Sequence, residues 1–352
     1  MKVGIIGAGN RAAHYIGAIR AMREDFEIVS MHFRNPEKAD LFHRRYGIPA
    51  TLSMDEFKSA KPDFVINTVT YHEIAKVSVD LLKDSIPVLA ETPAAPTPAE
   101  LNDLWTLASV LKSKILVAEN YFEEPMYAAI IEAVRRGMIG DIQTAAVSST
   151  HDYHAASLMR IILGAENEAF TVIGKKMDLD LVTTQNIDSS PVRNGEIGKA
   201  ERYHVIINFS GGKTGFYDFA IAQYWSAIRS TSFVAQGSKG EIKDGDIWYI
   251  AKNGNPVKTQ LRSVRDPDGG LVSIAAGDVT LYENKLRRRG INNDIGICNM
   301  LLNMKRYLET GVAVYPFASA AQDAYMMHLF QECGRRPFEL IASEKMPWHT
   351  YS

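Results

Sequence analysis

Cysteine is almost missing: Cys298 and Cys333 are the only two in 352 residues. Each sits in an apolar, helix-patterned segment, which suits two buried thiols in a reducing, cytoplasmic setting better than a disulfide framework. Excess charge is missing too. With 39 basic and 41 acidic side chains the net charge is -2, which provides no global field to recruit nucleic acid or an anionic membrane. The run Arg287-Arg288-Arg289 reads as a solvated helix end rather than a phosphate site. Long hydrophobic runs are also absent: "MKVGIIGAGN" carries one lysine and a very short apolar stretch before its glycines, so it is expected to be neither a signal peptide nor a membrane span. What remains is ordinary for a soluble globular protein, with 46% hydrophobic and 23% charged residues. A chain of 352 residues exceeds the size at which one core stops growing, so two domains are expected.

The first third alternates nearly continuous apolar runs, at 2–7, 26–33, 63–69, 87–90 and 114–118, with helical patterns near 11–23, 36–46, 72–84, 97–112 and 123–136. Such repeated units predict an α/β domain, a doubly wound parallel sheet with helices on both faces. Within "NPEKADLFHRRYG", Asn35 suits a helix N-cap, Pro36 the first helical position and Gly47 the stop. After Gly140 the pattern changes to a strand, a helix ending at Gly164, and then alternating strands with turns at Gly211-Gly212, Gly237 to Gly240 and Asp244-Gly245. This predicts a second, α+β domain on an open, mostly antiparallel sheet, followed by helices near 290–310 and 316–333 that can pack back on the first domain. The expected division is 1–119 and 120–352. The polar stretch 183–200 is expected to be the mobile loop. Trp348, His349 and Tyr351 suggest a tail docked on a neighbouring domain or subunit.

"VGIIGAGNRAAHYIGAI" sets Gly7, Gly9 and Ala12 in G-x-G-x-x-A register, after a strand and at the start of a helix. In that context the spacing has a mechanism: a tight turn at Gly7, backbone approach to a pyrophosphate at Gly9, and close helix packing at Ala12, with Asn10 and Arg11 between them. The helix N-terminus adds amides and a positive dipole. The second strand ends in Met31-His32-Phe33-Arg34-Asn35, without the carboxylate that holds ribose hydroxyls in NAD sites. Arg34 there suits adenine stacking or a 2'-phosphate, which favours NADP over NAD.

The order of "GIIGAGNRA", "NTVTYHEIAKVSVDLLK", "PVLAETPAA", "VAENYFEEPMYAAIIEAVRRGMIGDI" and "HDYHAASLMRIILG" resembles the Gfo/Idh/MocA oxidoreductases, the group of glucose-fructose oxidoreductase and inositol dehydrogenase. The resemblance implies an NAD(P)-binding Rossmann domain, a substrate domain for a sugar or polyol, and a homodimer or homotetramer. It places His72 and Asn120 near the cofactor, matches Glu91 and Pro93 to the outer members of a Glu-Lys-Pro signature, and matches His154 to a substrate-domain histidine. The lysine between Glu91 and Pro93 is replaced by Thr92, and the aspartate usually found four residues before the histidine is replaced by Thr150.

Threonine offers a hydrogen bond but no charge and no titration near neutrality, so Thr92 cannot take over the lysine's acid-base work. Three accounts stay open. The chain is a sugar or polyol oxidoreductase in which His154, helped by His151, Asp152 or Tyr153, relays the proton; or a binding or partner subunit without hydride transfer; or a redox-assisted lyase or hydrolase with tightly held cofactor. "HDYH" also reads as a polar helix start, and His151 with His154 lacks a third ligand for a metal. Tyr217, Asp218, Tyr224, Trp225 and Arg229 suit either a sugar pocket or an alternating strand. Lys175, Lys176 and Lys213 are surrogate cations or, more plainly, exposed strand and turn residues.

Overall fold

The computed structural model describes residues 1–166, 168–186, 188 and 190–350. Its first layer is built from β1 (Lys2–Ile6), α1 (Asn10–Ala21), β2 (Glu27–His32), α2 (Pro36–Tyr46), β3 (Ala50–Thr51), α3 (Met54–Ser59), β4 (Phe64–Asn67), α4 (Ile74–Lys83), β5 (Val88–Ala90), α5 (Pro98–Leu111) and β6 (Ile115–Val117). All six strands run parallel in the order β3-β2-β1-β4-β5-β6. Residues of β4, β5 and β6 are buried on both faces, which is why their sequences read as unbroken apolar runs. The strand order reverses between β1 and β4, and in such sheets ligands bind beyond the carboxyl ends of the strands at that reversal. In α2 the Asn35 side chain accepts from the Lys38 amide, Pro36 opens the helix and Gly47 closes it at φ 65°. The sequence reading lacked β3 and α3. A two-residue strand and a six-residue helix are too short to show a period.

Beyond β6 come a 3₁₀ turn (Tyr121–Glu123), α6 (Pro125–Arg135), β7 (Ile142–Ser148), α7 (Asp152–Leu163), β8 (Phe170–Val182), β9 (Ile197–Phe209), β10 (Thr214–Ala220), β11 (Ser232–Gly237), β12 (Gly240–Lys243), β13 (Asp246–Ile250), β14 (Pro256–Arg265), β15 (Leu271–Ala276), β16 (Val279–Glu283), α8 (Ile295–Thr310), α9 (Phe317–Arg335) and β17 (Ile341–Ala342). Eleven strands form one sheet, β16-β15-β14-β13-β12-β11-β7-β10-β9-β8-β17, in which only β7 and β10 pair in parallel. α7 and α9 pack on it together, joined by a buried ion pair from Arg160 Nε to Asp323 Oδ1 at 2.6 Å.

Two expectations need adjusting. The polar loop is shorter than 183–200, because Ile197 to Ala200 pair with β8 from Val182 to Leu179; its residues Ile187 and Ser189 lie outside the described residues. The run "KTGFYDFAIAQY" leaves the sheet at Ala220, where a 3₁₀ turn (Ile221–Trp225) begins. Gln223 stabilises that turn by accepting from the Ala220 amide at 2.9 Å and donating to Ser230 O at 2.9 Å, and Tyr224 is thereby turned out of the strand alternation.

The last helices return to the first layer. Lys305 and Arg289 both pair with Asp25 in the connection between α1 and β2, His14 Nδ1 lies 3.2 Å from Asp294 Oδ1, and Lys114 donates to Leu308 O at 2.7 Å. Arg287 pairs with Asp266 at 3.0 Å, so the basic run serves local ion pairs. Both cysteines are buried and free, and burial pushes each thiol up to about 11. Among the described residues no helix is long and apolar enough to cross a membrane. The tail docks on its own chain: Trp348 is fully buried, lies 6.0 Å from the Trp105 ring of α5, and donates to Gln322 Oε1 of α9 at 2.8 Å. Tyr351 lies outside the described residues. Trp348→Ala leaves a large cavity between α5 and α9 and is expected to cost about 3–5 kcal/mol. Denaturant unfolding checks this, and a loss below about 1 kcal/mol would show that the site collapses or that the tail is loosely held.

Candidate functional site

The glycine turn follows β1 into α1. Gly7 has φ 117°, and a Cβ there would lie 2.5 Å from Thr68 Oγ1 and 2.6 Å from the Thr68 carbonyl oxygen, so the protein's own packing requires glycine. Gly9 differs. It has an ordinary φ of -86°, and a Cβ there would meet nothing within 4 Å. The space over Gly9 is therefore free, at the amino end of α1 where unpaired amides point outward. Ala12 is fully buried. This arrangement fits a dinucleotide pyrophosphate.

Arg11 links this turn to the carboxyl ends of two strands. Its Nε donates to Glu91 Oε1 at 3.0 Å, beyond β5, and its Nη2 donates to Asn120 Oδ1 at 3.2 Å, beyond β6. Asn120 Nδ2 in turn donates to Glu124 Oε1 at 3.2 Å. Thr92 is half-buried and Pro93 buried; among the described residues the Thr92 hydroxyl makes no hydrogen bond. Asn10 Nδ2 is 3.5 Å from His14 Nε2. Arg34 is 72% exposed and reaches only a long, 3.7 Å pairing with Glu73. His72 is exposed, with its ring 5.3 Å from that of Tyr71, and makes no hydrogen bond to the other residues of the site.

Two histidines at the start of α7 face the same region. His154 Nδ1 lies 2.5 Å from Glu119 Oε2, and Glu119 is fully buried while His154 is 8% exposed. Glu119 Oε1 also accepts the Tyr121 amide at 2.9 Å. The Tyr121 ring lies against His154 at 4.4 Å and 32°. His151, the N-cap residue of α7, has Nδ1 2.9 Å from Tyr224 Oη and its ring edge-on to His154 at 4.9 Å. Burial, then the neighbouring His154, lowers the His151 pKa, against smaller raising effects of Asp152 and Glu119. Among the described residues neither Nε2 makes a hydrogen bond, and neither belongs to the polar atoms sealed from solvent without a partner. Both are therefore open to a ligand.

The "HDYH" group divides at the helix start. His151 and His154 meet the elements beyond β6, while Asp152, at φ 28°, turns its carboxylate to Tyr217 Oη at 2.6 Å and to Gln331 Nε2 at 3.4 Å. Tyr153 is 2% exposed, its hydroxyl buried without a partner, so it points into the core and not towards His154 Nε2. Residues two apart on a helix do not share a face, so Asp152 does not stand in for the aspartate lost at Thr150. A carboxylate does reach His154, but it is Glu119, which the sequence reading treated only as a domain boundary. Its position directly beyond a buried parallel strand, beside Asn120, was the available signal. The lysines considered as surrogates are engaged elsewhere: Lys176 with Glu201 at 2.6 Å, Lys213 with Leu163 O, and Lys175 over the Phe338 ring. Asp218 pairs with Arg202 at 2.5 Å.

The fold agrees with known proteins. Residues 1–119 match the family model of the Gfo/Idh/MocA group, described as "Oxidoreductase family, NAD-binding Rossmann fold". That match agrees with the resemblance carried by the motifs, and a nicotinamide dinucleotide is the cofactor class the family model carries. No curated protein sequence matches the chain. Among solved structures, an NAD binding oxidoreductase from Klebsiella pneumoniae is similar at TM-score 0.71 and 13% identity, covering 98% of this chain and 99% of that one. A putative myo-inositol dehydrogenase from Sinorhizobium meliloti 1021 is similar at TM-score 0.65 and 17% identity, covering 97% and 99%. The WlbA dehydrogenase from Bordetella pertussis, in complex with NADH and UDP-GlcNAcA, is similar at TM-score 0.70 and 13% identity, covering 98% of each chain. At these identities the likeness shows the fold.

Gly9→Asp places a carboxylate in the free space at the end of α1 and is expected to abolish dinucleotide binding while leaving the fold intact; unchanged affinity by calorimetry would remove the cofactor assignment. The depressed His151 pKa also has a stability consequence. The unfolded chain takes up a proton near the ordinary imidazole value of about 6.5 that folded His151 refuses, so this residue lowers stability as pH falls below that value. His151→Gln is expected to flatten the acid side of the stability-pH curve, read by denaturant midpoints; a parallel curve would contradict it.

Proposed function

We propose that this protein transfers hydride between a nicotinamide dinucleotide and a carbinol or carbonyl carbon of a sugar, polyol or related compound. The carrying observation is the His154 to Glu119 hydrogen bond, placed at the carboxyl ends of the parallel strands beside the Gly7 to Ala12 turn. The turn and the α1 amides would hold the pyrophosphate, with Arg11, Glu91 and Asn120 bordering the cofactor. The bound nicotinamide supplies the hydride acceptor or donor.

The chain's own residues manage the proton. Glu119 accepts from Nδ1–H, which fixes the tautomer and leaves Nε2 as the base that takes the substrate hydroxyl proton during oxidation. In reduction the same nitrogen returns the proton to the oxygen. The carboxylate then faces an imidazolium. Under this reading residues 1–119 carry the cofactor and residues 120–352 the substrate.

A sugar-like substrate is supported by the aromatic rings of Tyr121 and Tyr224 beside the two histidines, and by the polyol and nucleotide-sugar named with two of the similar structures. NADP over NAD rests on Arg34 and on the lack of a carboxylate at the end of β2; the long Glu73 contact leaves that guanidinium available. A homodimer or homotetramer is proposed from the paired, exposed Ile206 and Phe216 on the second sheet.

The test is a screen of sugars and polyols with both cofactors, followed by His154→Ala. Turnover is expected to fall about 10²–10⁴-fold while dinucleotide affinity is kept. Equal turnover would move the proton transfer elsewhere. A folded protein that binds dinucleotide yet converts nothing would favour a binding subunit.

A further inference from the structure

We propose that His151 is an uncharged hydrogen-bond donor to the substrate oxygen, held in its Nε2–H tautomer by Thr150 and Tyr224. The proposal rests on the hydride-transfer reading above and adds a second residue to it.

The assignment follows from counting donors around one phenol. Tyr224 Oη has four neighbours: Thr150 Oγ1 at 2.7 Å, His151 Nδ1 at 2.9 Å, the His151 amide at 3.1 Å and Tyr121 Oη at 3.3 Å. A tyrosine hydroxyl has one proton to give and two lone pairs to receive with. The His151 amide can only donate, so it takes one lone pair. Thr150 is fully buried, and among the described residues Tyr224 is the only partner of its hydroxyl. Were Thr150 to accept, its own proton would be left unpaired in the interior, which is costly. Thr150 therefore donates and takes the second lone pair. Tyr224 is then full as an acceptor, so Nδ1 of His151 cannot donate to it. The phenol proton goes to Nδ1, its nearer acceptor, and the imidazole proton must sit on Nε2, the nitrogen that is open to a ligand.

The arrangement gives Thr150 a purpose. Where the resemblance leads one to expect an aspartate, a neutral hydroxyl fixes the direction of a hydrogen-bond chain without adding charge. Burial and three groups bear on His151: burial and the neighbouring His154 disfavour its protonation, and they outweigh Asp152 and Glu119, which favour it. His151 therefore stays neutral, and a neutral donor suits the local charge. Arg11 already offsets Glu91, and His154 offsets Glu119 once it holds the substrate proton. During oxidation the O–H bond breaks, its proton goes to His154 Nε2, the carbon's hydride leaves to the nicotinamide, and His151 Nε2–H stays bonded to the same oxygen throughout. Nothing else is consumed.

The test begins with cofactor-free protein labelled with ¹⁵N-histidine at pH 7, in which long-range proton–nitrogen spectra distinguish the two tautomers; His151→Gln assigns the signal. The expected result is Nε2–H for His151, with the tautomer preference lost in Tyr224→Phe. An Nδ1–H tautomer or an imidazolium at pH 7 would overturn the proposal whatever the activity. In kinetics with a converted substrate, His151→Ala is expected to lower kcat about 10²-fold or more, with His151→Gln, which keeps an N–H donor, restoring much of the loss. No difference between the two variants would overturn the substrate contact. A parent enzyme that transfers no hydride would overturn that contact together with the functional reading, and this outcome is recognised separately because the tautomer would still be as assigned.

Discussion

A single hydrogen bond joins the two halves of this site: Glu119 Oε2 to His154 Nδ1, 2.5 Å long, between a carboxylate with no exposed surface and a ring that is almost enclosed. Removing one partner of such a buried pair leaves the other charge or dipole unpaid in a low dielectric, and costs about 3–5 kcal/mol. The residues around it inherit their positions from it. Glu119 follows β6 and also accepts from the amide of Tyr121, whose ring lies against the imidazole. Its neighbour Asn120 holds Arg11, and Arg11 holds Glu91. The cofactor turn, the ends of two parallel strands and the first turn of α7 are thus connected through three consecutive residues.

Much of the first layer was legible in the sequence because buried parallel strands and their helices carry strong periods and caps. Five of the six strands, the Asn35 cap and the Gly47 stop lie where the pattern puts them. The glycine turn was legible for two distinct reasons that only the structure separates. Gly7 is demanded by the Thr68 backbone, whereas Gly9 is demanded by nothing in the protein and so marks space for something else.

The second half was legible as a sheet but not as a site. Asp152 and Tyr153 were chosen because they stand next to His154 in sequence, yet helix geometry sends one to Tyr217 and the other into the core. The carboxylate that matters comes from 35 residues earlier, a distance that no local pattern reports. Tyr224 was legible as either a pocket residue or part of an alternating strand; it lies on a 3₁₀ turn set by Gln223, which ends the alternation. Thr92 brings no charge to the position where the resemblance leads one to expect lysine. What the sequence could not display was a second hydrogen-bond donor assembled from Thr150, Tyr224 and His151.

The central claim is hydride transfer from a nicotinamide to a substrate carbon at the pair of histidines. The most direct measurement is to incubate the purified protein with [4-²H]-labelled NADH or NADPH and carbonyl sugars, and to follow deuterium by mass spectrometry. The account predicts deuterium on the carbinol carbon of the product, with the transfer suppressed in His154→Ala. Tight cofactor binding with no label transferred to any carbonyl sugar would contradict it.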